Sequence, residues 1–265
     1  MNPPLEAGAA PCVLSRTQDG VRTLTLNRPE RFNLLSETMI GALTAELEKV
    51  AADASVRSVV LAAEGKGFCA GHDLKELRAH PDLEWQLRLF GACNDMMLLL
   101  TRIPQPVIAR VHGLATAAGC QLVSMCDLAV AADTARFALP GVNVGVFCTT
   151  PAVGVARNVA RKRVMEMLLT GETIDAATAL AWGLVNRVVP AAELDAAIAH
   201  FTGIIGGRSA RVIEQGKKAF YLQVDLGLAP AYNLAGGRMA TSLLEGAAAE
   251  GIDAFVQKRA PKWVE

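Results

Sequence analysis

The spacing of hydrophobic residues along the chain changes repeatedly between a period of two and a period of 3.6. The run Leu24-Thr25-Leu26 alternates as a strand does, and Asp19-Gly20 ahead of it favours a two-residue hairpin turn, so residues 13–27 are predicted to form a β-hairpin. From Ser36, apolar residues recur at helical spacing as far as Val50. The pattern therefore predicts a hairpin followed by a helix that begins at Ser36.

A buried strand, a loop of small residues and a helix then follow one another. The β-branched run 56–63 is typical of a strand that is buried on both faces. In the loop after it, Asp73 and Glu76 have the spacing of a capping box, with aspartate in the place of serine or threonine. This predicts a helix that starts just after His72, with Asp73 as a simple N-cap.

The same order of elements returns in the middle of the chain. The apolar run 106–111 leads into His112–Asp127, where small residues precede another apolar helical stretch. Recurring strand–helix units with crossover connections predict an α/β fold, as a coil of such units and not as a flat doubly wound sheet.

The periodicity elsewhere is mostly helical. Residues from about 85 to 101 are predicted to form a helix that has Leu87, Phe90, Met97 and Leu98 available for one face. The last helix is predicted over about 237–258. The simplest division of the chain is an α/β core over residues 1–200 and a helical region over residues 201–265.

Composition narrows the class of protein. The 265 residues are 52% hydrophobic, enough for a sizeable core, and 26 basic residues balance 26 acidic ones, so no global field favours nucleic acid or an anionic membrane. The six cysteines form no C-x-x-C pair and the four histidines are dispersed, which predicts reduced thiols and no metal site. Without a leader pattern over residues 1–12, a cytoplasmic location is expected.

Several common catalytic motifs are absent from the sequence. It contains no G-x-G-x-x-G after a strand, no P-loop, no G-x-S-x-G and no H-E-x-x-H, which removes the main support for dinucleotide-binding, nucleotide-hydrolysing, serine-hydrolase and zinc-protease functions. The two small-residue loops remain, each at a predicted helix start where free backbone N–H groups can stabilise a developing negative charge. The alternative is that the small residues only allow close packing of helix and strand.

Five segments taken together resemble the crotonase (enoyl-CoA hydratase/isomerase) superfamily. They are Arg28-Pro29, Gly67–Leu74, His112–Asp127, Thr170-Gly171-Glu172 and Lys258–Trp263. The resemblance implies an α/β spiral of ββα units with a C-terminal helical region for trimer assembly, commonly as a dimer of trimers. It also implies an acyl-CoA thioester ligand, with coenzyme A as part of the substrate and no tightly bound cofactor. Within the superfamily, the chain looks most like the branch named for its enoyl-CoA hydratase domain.

In that family two backbone N–H groups, one from each loop, hold the thioester carbonyl and stabilise the enolate-like anion. The resemblance places these donors at His72 and Ala118, and both positions lie at predicted helix starts. The alternative for His72 is a solvated loop histidine; its imidazole is a further candidate for contact with the thioester.

The resemblance also implies residues that bind the coenzyme. Coenzyme A is expected against the backbone around Arg31 and Phe32 and around Cys69 and Ala70. The candidates for phosphate contacts are Lys66, Lys258 and Arg259. The alternative for each is an ordinary solvated side chain.

Two departures from the family pattern bear on the reaction. Hydratases of the family use two glutamates as acid and base, and the matching positions hold Gln121 and Gly141. Neither residue can transfer a proton at neutral pH, and loss of general acid–base help costs about 10²–10⁴-fold per group. Cys148 and Thr149 are candidates for orienting water or substrate, although a buried structural cysteine is the simpler role for Cys148.

These observations support three hypotheses. The first is an enoyl-CoA hydratase, which is a lyase, or an enoyl-CoA isomerase of fatty-acid metabolism. In this hypothesis the oxyanion hole is intact and the activity is weak or altered. The second is a decarboxylase of a malonyl-type CoA thioester. A negative charge at position 141 would repel the carboxylate of that substrate, and the sequence has no carboxylate there. The third is a protein that binds acyl-CoA without catalysis.

Overall fold

The structure, a computed structural model, describes residues 10–263. Its strands are β1 (Val13–Gln18), β2 (Val21–Leu26), β3 (Ser58–Ala63), β4 (Gly67–Cys69), β5 (Val107–Val111), β6 (Leu114–Thr116), β7 (Leu128–Ala132), β8 (Arg136–Ala138), β9 (Thr173–Asp175) and β10 (Arg187–Val189). Its α-helices are α1 (Glu37–Ala51), α2 (Leu74–Ala79), α3 (Leu83–Arg102), α4 (Ala118–Met125), α5 (Thr149–Val155), α6 (Arg161–Thr170), α7 (Ala176–Ala181), α8 (Leu194–Gly206), α9 (Ala210–Gln223), α10 (Leu228–Ser242) and α11 (Gly246–Val256).

The strands form two sheets, and the consecutive strands from β3 to β8 alternate between them. A six-stranded sheet has the order β1-β2-β3-β5-β7-β10, and a four-stranded sheet has the order β4-β6-β8-β9. The pairs β3/β4, β5/β6 and β7/β8 each place their first strand in the large sheet and their second in the small one, and helices follow each pair. This repeated ββα arrangement confirms the predicted α/β spiral.

The main core lies between the sheets and the helices α1, α3 and α4. In the large sheet, Leu24 pairs with Leu61, Leu61 with Ala109 and Ala109 with Ala129, and all four are buried. A second, smaller core covers the other face of this sheet, where Leu194 of α8 packs with residues of the central strands. Because both faces are covered, the central strands β3, β5 and β7 are largely apolar, and Ser58 and Arg110 are their only polar residues.

Local signals at the element ends give the expected structures. Asp19 and Gly20 have φ of 50° and 74° and form the hairpin turn between β1 and β2. Ser36 caps α1 by accepting a hydrogen bond from Met39 N at 3.2 Å. Asp73 caps α2 by accepting from Lys75 N at 3.0 Å. The first half of the chain therefore folds where its turn and cap residues indicate.

Two expectations about helices are wrong. The predicted last helix over 237–258 is two helices, α10 and α11, interrupted at residues 243–245. On α3, Leu87 is 64% exposed and Leu98 is 38% exposed. The face of α3 that packs on the core instead carries Trp85, Leu89, Cys93, Met96, Met97 and Leu100.

A buried ion pair fastens the C-terminal helices to the core. The side chain of Lys217 on α9 is 7% exposed, and its Nζ donates to Asp127 Oδ2 at 2.7 Å, to Leu100 O at 2.8 Å and to Gln105 O at 2.9 Å. The hydroxyl of Tyr221, one turn further along α9, donates to Asp127 Oδ1 at 3.0 Å. Asp127 follows α4, so this cluster ties α9 to the end of a helix that begins at the candidate site. Residue 200, the predicted domain boundary, falls inside α8.

Among residues 10–263, no helix is long and apolar enough to cross a bilayer. The same residues contain no group of three or more His, Cys, Asp and Glu side chains arranged to hold a metal ion.

Candidate functional site

Two loops meet where β4 leads into α2 and β6 leads into α4. Gly71 has φ of 88°, and a Cβ built on it would lie 2.9 Å from Ala117 Cβ and 3.2 Å from Ala118 N. Thr116 Oγ1 also donates to Ala70 O at 3.2 Å. The two small-residue loops of the sequence are therefore in direct contact, and only glycine at position 71 permits it.

The start of α4 is held equally tightly. A Cβ built on Gly119 would lie 2.7 Å from the carbonyl carbon of Cys69 and 2.9 Å from its Cβ. Ala117, just before the helix, has φ of 50° and ψ of −121°, a conformation that L-residues rarely adopt. The packing of α4 against β4 thus fixes the direction of the first helical N–H groups.

The N–H groups of His72 and Ala118 are free to bind a ligand at this junction. Ala118 is the first residue of α4, so its N–H has no acceptor within the helix. Across the hydrogen bonds of residues 10–263, neither N–H has an acceptor. A carbonyl oxygen that gains negative charge is stabilised by free N–H donors of this kind when both point at it.

The side chain of His72 turns toward α3. Its Nδ1 lies 3.1 Å from Leu35 O, and its ring meets the Phe90 ring edge to face with 5.0 Å between centroids. Nε2 is inaccessible to solvent and has no hydrogen-bond partner among the described residues. Burial lowers the pKa of the imidazole, against the opposing effect of the hydrogen bond to Leu35, so the ring is neutral at pH 7.

A cleft of about 480 Å³ has His72 in its lining, whereas Ala118 is not among its lining residues. Its lining includes four of the predicted residues, Arg31, Phe32, Ala70 and His72. Arg31 forms an ion pair with Asp73, the N-cap of α2, and Phe32 is 47% exposed. Cys69 is buried, and burial raises the pKa of its thiol to about 12, so its side chain takes no part as a charged group.

Sequence reasoning missed Asn33, a buried residue between the lining residues Phe32 and Leu34 of this cleft. Asn33 is fully buried with φ of 53°, and its Oδ1 accepts from Arg28 N at 2.8 Å. Its Nδ2 donates to Glu64 O at 2.9 Å and Gly67 O at 3.0 Å. These bonds hold the segment that carries Arg31 against the loop before β4. An asparagine just after a proline-containing turn is the only signal the sequence gives.

Gln121 lies in the second turn of α4, below Ala118. Its residue is 4% exposed, and its amide oxygen Oε1 is buried without a partner among the described residues. An uncompensated buried amide oxygen is costly, and a ligand or water that donates to it would remove this cost. The structure thus places an unused polar group on the helix that carries one of the free N–H groups.

The other expected glutamate position is closed to any side chain. Gly141 lies in a short 3-10 turn (Pro140–Val144), and its N–H donates to Cys148 Sγ at 3.3 Å. A Cβ built on Gly141 would lie 2.8 Å from Val146 O and 2.9 Å from Cys148 Sγ. The thiol of Cys148 therefore occupies the space that a larger residue at 141 would need. Thr149, the first residue of α5, is exposed.

The cysteines are all free thiols in buried positions. This holds for all six of them. Burial, together with the neighbouring Cys148, raises the pKa of the Cys120 thiol to about 12, and burial also raises the pKa of Cys148 itself. The effect of Cys148 on the pKa of Cys120 places Cys148 close to the first turn of α4. Neutral thiols here act as small apolar groups.

The predicted phosphate contacts do not line the cleft. Lys66 is exposed on the loop before β4. Lys258 and Arg259 lie after α11, where the Arg259 guanidinium binds the Glu250 carboxylate with nitrogen–oxygen distances of 2.6 and 2.9 Å. Trp263 Nε1 donates to Gly207 O at 2.8 Å, so this tail packs on the C-terminal helices of its own chain.

Comparison with known proteins matches residues 16–265 to the sequence family described as Enoyl-CoA hydratase/isomerase. Enoyl-CoA hydratase domain-containing protein 3, mitochondrial, from Rattus norvegicus is 44% identical over 249 residues, which cover 94% of this chain and 83% of that protein. A probable enoyl-CoA hydratase of Mycobacterium bovis is 32% identical, with 95% and 97% covered.

Solved structures agree over nearly the whole length. The crystal structure of an enoyl-CoA hydratase from Mycobacterium smegmatis superposes with a TM-score of 0.94 at 52% identity, covering 96% of this chain and 99% of that one. Human enoyl Coenzyme A hydratase domain-containing protein 3 gives a TM-score of 0.93 at 43% identity, covering 95% and 100%. The predicted resemblance to the superfamily and to this branch is confirmed.

The expected cytoplasmic location is wrong. The relatives from rat, mouse, Xenopus laevis, human and Danio rerio, at 40–44% identity, are all named as mitochondrial proteins. Reduced thiols are compatible with more than one compartment, which is why cysteine usage misled the prediction.

Proposed function

Because the chain belongs to the enoyl-CoA hydratase/isomerase family, whose members use CoA thioesters, we propose that it binds an acyl-CoA of fatty-acid metabolism with the thioester carbonyl between His72 N–H and Ala118 N–H. The observation that carries this proposal is the meeting of two free N–H groups at the contact of the two glycine-dependent loops. Such donors stabilise the oxyanion more than the neutral carbonyl, and loss of one typically costs about 10²–10³-fold in rate.

A single methyl group tests the oxyanion hole. Gly71→Ala places a Cβ 3.2 Å from Ala118 N, where it obstructs the approach of a carbonyl oxygen. Gly145→Ala is the matched control, because Gly145 also has positive φ (77°) but has nothing within 4 Å of its Cβ position. Calorimetric titration with butyryl-CoA should show binding at least about tenfold weaker for Gly71→Ala and unchanged for Gly145→Ala. Equal affinities for the two variants would refute the assignment.

Hydration of an enoyl-CoA by this site is expected to be weak. Position 121 holds an amide, and position 141 has no room for a side chain. Introducing one carboxylate by Gln121→Glu should raise crotonyl-CoA hydration by about 10²-fold, whereas Gln18→Glu on the exposed strand β1 should change nothing. Hydration by the native chain at a rate typical of hydratases would show that another group supplies the acid–base chemistry.

The neutral surroundings favour a second candidate, the decarboxylation of a malonyl-type CoA thioester. Loss of CO2 itself generates the enolate, so no strong base is required, and neither position 121 nor position 141 carries a charge to repel the substrate carboxylate. Release of CO2 from methylmalonyl-CoA or ethylmalonyl-CoA would support this reaction. Absence of release above background would exclude it, and binding of acyl-CoA without turnover of any thioester would indicate a non-catalytic binding protein.

The remaining contacts of the coenzyme follow the cleft. We place the pantetheine along the backbone at Phe32 and Ala70, which line it. Lys66 is proposed to contact a phosphate of the coenzyme that its own chain binds, and Lys258 and Arg259 a phosphate of the coenzyme bound by a neighbouring chain. Cys148 and Thr149 are proposed to border the acyl group.

Assembly into a trimer or a dimer of trimers accounts for the apolar surface of the C-terminal helices, which form the proposed helical region 201–265. The large exposed hydrophobic residues there include Phe220, Leu228, Tyr232, Met239, Leu244 and Phe255. Exposed apolar patches of this extent mark protein interfaces. Light scattering after size-exclusion chromatography should give three or six times the chain mass of 28.0 kDa, and a monomer would contradict the proposal.

A further inference from the structure

The peptide between Gly71 and His72 is oriented by a hydrogen bond from a neighbouring segment. Leu35 N donates to Gly71 O at 2.8 Å, and Leu35 forms an isolated parallel bridge with His72. In a trans peptide the C=O and the N–H point in opposite directions. The hydrogen bond that directs Gly71 O toward Leu35 therefore directs His72 N–H away from Leu35 and leaves it free for a ligand.

This orientation is easily lost next to a glycine. Gly71 has φ of 88°, a region in which glycine is unstrained, and without a Cβ it lets the following peptide plane rotate against little steric resistance. Rotation of that plane would exchange the directions of Gly71 O and His72 N–H. The single backbone hydrogen bond from Leu35 opposes the rotation only weakly, because the net contribution of one such bond is modest.

The imidazole of His72 supplies a second bond to the same residue. Its Nδ1 lies 3.1 Å from Leu35 O, and a carbonyl oxygen only accepts hydrogen bonds, so Nδ1 carries the proton. Phe90 packs edge to face against the ring, and Nε2 is inaccessible to solvent, so packing also holds the side chain in this place. Residues 71 and 72 thus bond to both the N–H and the C=O of Leu35.

The partner segment is itself firmly held. Leu35 is fully buried and directly precedes Ser36, the N-cap of α1. Ala70 N donates to Phe32 O at 3.0 Å, which joins the two segments again before the glycine. Segment 31–35 therefore gives the imidazole a fixed acceptor.

We infer that His72 is a positioning residue, whose imidazole bond to Leu35 O keeps the Gly71–His72 peptide from rotating and so keeps His72 N–H directed at the thioester oxygen. The inference rests on the proposed thioester binding and adds the side chain that maintains one of its two donors. The imidazole transfers no proton in this role. The same role is therefore expected whether the bound acyl-CoA is hydrated, decarboxylated or only held.

The carbonyl stretching frequency of the bound ligand reads out the direction of the N–H groups. Butyryl-CoA with an isotope label at the thioester carbonyl allows infrared difference spectra to isolate this band, and hydrogen bonds from both N–H groups lower its frequency because they polarise the carbonyl. His72→Leu removes the side-chain donor but keeps an apolar side chain against Phe90. We expect this variant to lose most of the frequency shift and to bind butyryl-CoA about fivefold more weakly.

Two variants separate positioning from a general loss of structure. His72→Asn places Nδ2 as many bonds from Cα as Nδ1 of histidine, so it should restore the bond to Leu35 O and the native shift. His112→Leu is the matched control: His112 Nε2 bonds to Gly65 O at 2.8 Å, and its Nδ1 is buried without a partner among the described residues. This control should keep the native shift, because the bond it removes does not reach the Gly71–His72 peptide.

The outcomes distinguish this inference from the proposal beneath it. A native chain that does not bind butyryl-CoA, or binds it with no frequency shift, would overturn both. A native shift that persists in His72→Leu would overturn the positioning role alone, as would an equal loss in His72→Leu and His72→Asn or in His72→Leu and His112→Leu. If circular dichroism shows that His72→Leu does not fold, His72→Ala takes its place with the same expected loss.

Discussion

The buried ion pair between α9 and the core offers a sharp test of what fastens the C-terminal helices. Lys217→Met removes the ammonium group but keeps an unbranched side chain of similar length. Asp127 then retains its bonds from Tyr221 OH and from Val107 N at 2.7 Å, and it loses the one cation that pairs with it among residues 10–263. The carbonyl oxygens of Leu100 and Gln105 lose a donor at the same time.

The size of the effect follows from burial. Breaking a buried pair by removing one partner costs about 3–5 kcal/mol, because the other charge stays desolvated. The Asp127 side chain is 16% exposed and keeps two donors, so we expect the low end, about 3 kcal/mol. For a chain of this size that loss lowers Tm by about 6–12 °C. Burial also lowers the pKa of Lys217, because the protonated amine is poorly solvated there and Asp127 compensates only in part.

Urea unfolding at one fixed protein concentration measures the loss. Lys218→Met is the control, since Lys218 is exposed on the same helix and its replacement should change the free energy of unfolding by no more than about 0.5 kcal/mol. The double variant Lys217→Met/Asp127→Asn should recover at least about 1 kcal/mol relative to the sum of the single changes. A loss below about 1 kcal/mol for Lys217→Met, or equal losses at 217 and 218, would refute the anchoring role.

Two further predictions concern close packing and acid. Gly119→Ala forces a Cβ to 2.7 Å from the carbonyl carbon of Cys69 and should destabilise the fold by about 3 kcal/mol; urea unfolding with a loss below about 1 kcal/mol would contradict the tight contact. The hydrogen bonds from Arg259 lower the pKa of Glu250 to about 2, so this carboxylate favours the packed tail above its ordinary pKa of 4.5, and the contribution is lost as pH falls from about 4.5 toward 2. Fluorescence of Trp263, in a variant whose other two tryptophans are phenylalanine, should follow that transition, and Glu250→Gln should remove it.

The sequence predicted well wherever a short-range cause acts alone. Asp19-Gly20 sets a hairpin turn through its own backbone preference, and Ser36 and Asp73 each cap a helix through bonds to N–H groups a few residues away. The ββα spiral followed from the resemblance of whole motifs to a known family. The two loops were singled out because each lies at a predicted helix start, where free backbone N–H groups can stabilise a developing negative charge.

Features that depend on distant parts of the chain were not predictable in this way. Of the capping box at Asp73 and Glu76, only the Asp73 side chain caps α2. The Glu76 carboxylate accepts a hydrogen bond from Glu37 N at 3.1 Å instead. The face of α3 was misjudged, since helical periodicity does not say which side meets the core. The break between α10 and α11 has neither proline nor glycine to mark it within residues 243–245. Asn33 gained its role only when three backbone groups came together around it.

The closed space at Gly141 limits the order in which this site can change. A glutamate there must displace the Cys148 thiol and also move the Val146 carbonyl, so the substitution alone would distort the turn before it supplied any chemistry. Making Cys148 smaller first would open a cavity and bring no compensating activity. A carboxylate at position 141 therefore requires a joint change of the turn and of the Cys148 thiol, and neither change alone makes room for it without a loss of packing.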